Sequence, residues 1–104
     1  MKYVAVFITA GSEAEAARIA RGLVVKKLAA CVNIIRDIRS IYSWKGKLED
    51  SKECLLVAKT TEGLFCKLER SVKRMHSYEC PEIIAIPVKA GSREYLEWIG
   101  GSVK

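Results

Sequence analysis

Between positions 76 and 82 the chain gathers His76, Tyr78, Glu79, Cys80 and Glu82: an imidazole, a phenol, two carboxylates and a thiol. Imidazole and thiolate are ligand types that suit copper or zinc. One histidine cannot complete four-coordination and no ligand spacing recurs, so a metal here needs donors from elsewhere. The competing role is structural: a histidine at a helix end complements the macrodipole, and Pro81 sets the entry into the next strand.

Other residues with chemical potential are more scattered. Lys59 ends an apolar run and is expected near the start of the 76–82 segment, where an ammonium could meet a carboxylate or an anionic ligand. Tyr42 and Trp44 could stack on a ligand, although aromatics at a hairpin tip more often anchor a subunit contact. Ala10-Gly11-Ser12 presents amides at a helix N-terminus, a generic anion signal. Cys31, Cys54 and Cys66 read first as small packing residues.

Positioning these groups falls to a short series of elements. Residues 2–9 are β-branched and aromatic and read as a buried strand. Ser12 and Glu15 form a capping box opening a helix whose stripe, Ala16, Ile19, Ala20, Leu23, Val24 and Leu28, runs to about Leu28 or Ala29. Cys31 to Trp44 alternates irregularly, which predicts a bulge near Arg36-Asp37. Lys45-Gly46-Lys47 is a three-residue hairpin loop, and Lys52 to Thr60 returns as a third strand, with the tip projecting from the domain. Thr60 or Thr61 caps a second helix carrying Leu64, Phe65, Leu68, Val72 and Met75. Glu82 to Lys89 makes a fourth strand with Pro87 at an edge, end or bulge. Ser92 caps a last helix that turns Tyr95, Leu96 and Ile99 inward and ends at Gly100-Gly101. The order β-α-β-β-α-β plus one helix is an α+β, ferredoxin-like arrangement, a fold that hosts many functions.

Composition narrows the classes. At 104 residues one core fits and a second does not, and 50% hydrophobic content excludes a disordered chain. The net charge of +6 is spread over separate segments and reads as solvated helix faces. No apolar stretch reaches the length of a membrane span and the N-terminus lacks a signal-peptide core, so no membrane partner is expected. Four cysteines at positions 31, 54, 66 and 80 make no C-x-x-C pair, and reduced, buried thiols in the cytoplasm are expected. The third strand, Glu53 to Lys59, lacks the paired aromatics that stack bases, which argues against nucleic acid. No nucleophile–base pairing is legible, and the loop after strand one lacks the phosphate-cradling arginine of acylphosphatases, so an enzyme is not expected.

Five collinear segments are more specific: Leu28-Ala29-Ala30-Cys31-Val32-Asn33, Ser40-Ile41-Tyr42-Ser43-Trp44-Lys45-Gly46-Lys47-Leu48-Glu49, Ala58-Lys59-Thr60, His76-Ser77-Tyr78-Glu79-Cys80-Pro81-Glu82-Ile83 and Tyr95-Leu96-Glu97-Trp98-Ile99. Across nearly its whole length the chain resembles the CutA (divalent-cation tolerance) family. The resemblance implies a single CutA-like domain over 1–104, a homotrimer in which long hairpins pair across subunits, and an intersubunit cleft like that of PII signalling trimers. It also implies tolerance of copper and other divalent metals, with no required cofactor and copper or another divalent cation as the ligand. On that footing the expected metal residues are His76, Cys31 and Glu82, brought together across subunits, and the expected cleft residues are Lys59, Tyr78, Trp44 and Asn33. Metal proposals in the family lean on a cysteine at the end of strand one and on a second histidine; this chain has Ile8 or Thr9 and Met75 there, and Ser77 in place of a frequent proline. The rival reading is a trimeric scaffold or PII-like small-ligand module without its own metal site.

Overall fold

The computed structural model describes residues 1–104. Four strands, β1 (Tyr3–Ala10), β2 (Cys31–Trp44), β3 (Lys47–Thr61) and β4 (Ile83–Pro87), form one antiparallel sheet in the order β2-β3-β1-β4. Helices α1 (Glu13–Val25) and α2 (Phe65–Met75) cover one face, and α3 (Arg93–Ser102) follows β4. Strand alternation sends Val4, Val6, Ile8, Leu56 and Ala58 toward Ile19, Leu23, Leu68 and Val72, and these close the core. The chain is thus α+β, with a four-stranded antiparallel sheet and three helices.

Several local expectations are corrected. Ser12 caps α1 by accepting from the Glu15 amide at 3.1 Å, but the Glu15 carboxylate does not close the box; it accepts from the Ser77 amide at 2.7 Å. The helix ends at Val25 rather than Leu28, because Lys27 takes φ 60° and lets the Lys27 and Leu28 amides bond back to Val24 and Leu23 in a Schellman closure. Neither Thr60 nor Thr61 caps α2: a single 3-10 turn, Glu62–Leu64, precedes it, and Thr60 donates its hydroxyl to the Leu28 carbonyl. Strand β4 is shorter than expected, with Pro87 at its end, where the missing donor costs nothing. Helix α3 continues through Gly100-Gly101 to Ser102, and of its three expected inward residues only Ile99 is fully buried. The thiols are unpaired, yet only Cys54 is buried; Cys31 is half-buried and Cys66 and Cys80 are exposed.

The hairpin positions the site. Its loop is the two-residue turn Lys45-Gly46, not three residues, with φ 52° and 80°, the left-handed pair whose twist matches the flanking strands. Strand β3 therefore begins at Lys47, five residues earlier than expected, and the molecule extends to 44 Å along an axis against 25 and 22 Å across. The predicted bulge is present: register shifts between Ile35 and Ile38, with Asp37 at φ 60°. One extra residue reverses the parity of β2. Beyond it Ser40 and Tyr42 pair with Ser51 and Glu49, so Ser40, Tyr42 and Trp44 share the face of Ser51 and Glu53, opposite to the helices.

Candidate functional site

That re-aimed face forms one wall of a cavity of about 730 Å³. Tyr42 and Trp44 stand on β2, Ser51 and Glu53 on β3, Thr9 at the end of β1, and the segment from Tyr78 to Glu82 closes the other side. The pairing of β1 with β3 stops at Ala10 and Cys54, so the distal part of β3 from Lys47 to Glu53 has an open edge beside the cavity. Three of the eleven lining residues are glutamates and none is basic, although the chain carries +6 overall.

Glu53 is the deepest of the three. It is only 6% exposed. Tyr78 donates its hydroxyl to Glu53 Oε2 at 2.7 Å, while Oε1 has no protein donor and no Lys, Arg or His lies within ion-pair distance. Every fully buried side-chain polar atom has a partner, so the second oxygen keeps contact with solvent; Glu53 borders both this cavity and a smaller one that Arg36 and Lys52 also line. Burial, and then the hydrogen bond and charge of Glu53, push the Tyr78 phenol well above its ordinary range, which keeps it a donor. Burial, with the nearby charge of Glu53 second, also raises the Glu82 carboxyl.

The segment from 76 to 78 is anchored behind the cavity. The His76 ring is wholly buried, donates from Nε2 to the Thr9 carbonyl at 2.7 Å and accepts at Nδ1 from the Tyr78 amide at 3.1 Å. Both ring nitrogens are thereby engaged within the chain. The His76 and Tyr78 rings lie 4.6 Å apart. Glu15, 3.8 Å from Nδ1, is pushed up by burial but held below its ordinary value by Ser77, with smaller help from His76 and the Gly11 amide.

The expected metal set is not assembled within one chain. Cys31 pairs with Lys59, six residues along β3 from Glu53, about 20 Å at ~3.3 Å per residue. Glu82 lines the cavity, whereas His76 is turned inward, and no three His, Cys, Asp or Glu side chains are grouped to hold a metal. The expected cleft set divides as well: Trp44 and Tyr78 line the cavity, while Lys59 and Asn33 lie toward the far end of the same sheet face. Lys59 is therefore not beside the 76–82 segment, since it pairs with Ala5, four residues along β1 from the Thr9 that holds His76. Glu53 was missed, as were Glu15 and the part Tyr78 plays as a donor.

A family model for the CutA1 divalent ion tolerance protein matches residues 4–102. The chain belongs to the CutA1 family. It is 49% identical over 94 residues to the divalent-cation tolerance protein CutA of Thermus thermophilus, covering 90% of this chain and 91% of that one. It is 46% identical to the CutA protein of Archaeoglobus fulgidus, covering 95% and 96%. Against longer relatives, the Xenopus laevis homolog and the human protein, the chain spans 66% and 53% of their length. Among solved structures, CutA1 from Oryza sativa superposes with a TM-score of 0.97 at 40% identity, covering 100% of this chain and 95% of that one. The Archaeoglobus fulgidus structure, described as a periplasmic divalent cation tolerance protein, gives 0.95 at 45% identity over 98% and 99%. CutA1 proteins are named for tolerance rather than for a reaction.

Proposed function

We propose that this CutA1 chain works as a homotrimer that responds to divalent metal ions without catalysis, taking a cation at the glutamates of the hairpin cavity. The observation that carries this reading is Glu53: a carboxylate 6% exposed, held by one phenol and matched by no cationic side chain. A buried charge ordinarily has a counter-charge or a metal, and here Glu53 lines an open cavity together with Glu82. Copper or another divalent cation would meet carboxylate oxygens first, with the Cys80 thiol on the same lining and any further donor from a neighbouring subunit.

The trimer is supported by a sheet face that α3 covers only near Tyr3 and Cys31. Ile35, Ile84 and Ile86 lie 48%, 51% and 41% exposed on the side away from α1 and α2, and the distal part of β3 has an unpaired edge. Faces and edges of this kind need a partner to avoid indiscriminate pairing. The strand order β2-β3-β1-β4 supports the ferredoxin-like description and, with it, a PII-like assembly. Four unpaired thiols suit a reducing compartment such as the cytoplasm.

Calorimetric titration of copper(II) and zinc(II) into the metal-free protein, with Glu53→Gln, Glu82→Gln and His76→Gln alongside, tests the reading. Stoichiometric binding that weakens in the two glutamate variants and persists in His76→Gln supports it. Binding lost only with His76, or no binding at all, overturns it.

A further inference from the structure

We propose that the hairpin cavity is shaped for an organic ammonium ion and that divalent metals compete for its glutamates rather than fill it. The inference rests on the reading of the cavity as a cation receptor and names the kind of cation that fits. Three independent features favour carbon-bearing ammonium over a bare metal.

The first is size. A cavity of about 730 Å³ lies within the roughly 300–1,000 Å³ range of small-molecule sites, far larger than one ion needs. The second is wall chemistry. Tyr42, Trp44 and Tyr78 present aromatic rings, which offer a metal no strong ligand but attract an ammonium through their negative faces. Zinc ordinarily wants about four ligands, and no group of three metal-ligating side chains is present. One buried carboxylate oxygen and a ring face are instead the pair that an alkylammonium uses, the first for its N–H and the second for its methylenes.

The third feature is already in place at the rim. The ammonium of Lys45 sits 5.6 Å from the centroid of the Trp44 ring and donates to Glu79 Oε1 at 3.3 Å. This rim thus holds an ammonium between an aromatic face and a carboxylate, both of which line the cavity. Deeper in, Glu53 Oε1 accepts no hydrogen bond from the chain and no Lys or Arg is ion-paired to Glu53, although Arg36 and Lys52 border the smaller pocket on its other flank. A free ligand with an N–H-bearing cationic head would seat that head on Glu53 and its carbon chain along Tyr42 and Trp44.

The net charge of +6 sharpens the test, because the chain as a whole repels cations and saturable binding must come from a local site. The probe is 1,4-diaminobutane, with 1,4-butanediol as its neutral counterpart and zinc chloride as the metal arm. Binding is followed by Trp44 fluorescence in a Trp98→Phe background at about 0.15 M salt, where diffuse surface attraction is screened. The proposal expects saturable binding of the diamine and not the diol, weakened at least tenfold in Glu53→Gln, with the oligomeric state unchanged, and displacement by zinc. Lys45→Ala should bind the diamine at least as well as the parent. Zinc binding that depends on Glu53 without diamine binding would overturn the ammonium inference and leave the metal reading standing. Failure of both cations overturns both. Diamine binding seen only in Lys45→Ala would mean that the chain's own lysine occupies the cavity, and would equally overturn a free ligand.

Discussion

The hydroxyl of Tyr78 lies 2.7 Å from Oε2 of Glu53, joining the segment after α2 to the middle of β3 through one charge-assisted hydrogen bond. That bond is the sole protein donor to a carboxylate almost removed from water. Tyr78→Phe keeps the ring and its 4.6 Å contact with His76 but removes the donor. We expect a loss of about 1–3 kcal/mol at neutral pH, the usual cost of stripping a partner from a buried charged group. Denaturant unfolding at fixed protein concentration reads it, and an unchanged midpoint would show that the cavity solvates Glu53 unaided.

Glu15 gives the acid sensitivity its sign. Burial raises its carboxyl, but Ser77, His76 and the Gly11 amide together hold it below its ordinary value of 4.5. Its stabilising contribution is therefore complete above that value and is lost as pH falls through the depressed one. Glu82 is raised and acts oppositely, its contribution being present at low pH and lost as pH climbs through the raised value. Glu15→Gln should be less stable than the parent at pH 7, and the gap should narrow on acidification. Parallel stability curves between pH 7 and 3 for the two proteins would contradict this.

Helix α1 carries an improvable end. Lys27 occupies φ 60° at the position where glycine normally closes a Schellman motif. A left-handed non-glycine residue costs roughly 1–2 kcal/mol, offset in part by the larger unfolded-state entropy of glycine. Lys27→Gly is expected to stabilise the protein by about 0.5–1 kcal/mol, read as a rise in the thermal midpoint; a fall would mean that the lysine side chain has a compensating role.

How far the sequence reaches can be judged at single residues. Ser12 announced the start of α1 and the irregular alternation around Arg36-Asp37 announced the bulge, because both are local signals carried by adjacent residues. Glu53 gave no such sign. Beside Lys52 it looks like the solvated start of a strand, and its burial arises only because the tight Lys45-Gly46 turn starts β3 early and the 76–82 segment folds over the face. The cavity joins Thr9, Tyr42, Glu53 and Tyr78, positions brought together by register and by a bulge that reverses parity, so spacing along the chain cannot reveal it. Lys59 was misplaced for the same reason: the order of elements along the chain was readable, but the level at which α2 meets β1 was not. His76 stands out in the sequence as a metal candidate, whereas the structure gives its ring a pair of backbone partners, Thr9 and Tyr78, that composition cannot predict.

The exposed apolar face yields a separate test of assembly. Ile84 is 51% exposed and pairs with Phe7 on the side of the sheet away from α1 and α2. Ile84→Glu should leave the helix-covered core intact while placing a charge in the proposed contact between copies. Sedimentation velocity is expected to show the parent as a trimer and the variant shifted toward monomer; a variant that stays trimeric places the interface elsewhere.

Anomalous diffraction from zinc-loaded crystals distinguishes a cation at the glutamate cavity from one at the histidine. A peak is expected within about 2.0–2.2 Å of a Glu53 or Glu82 carboxylate oxygen, the normal zinc–oxygen distance. A peak on a His76 ring nitrogen, with the Thr9 or Tyr78 hydrogen bond broken, would contradict the glutamate site.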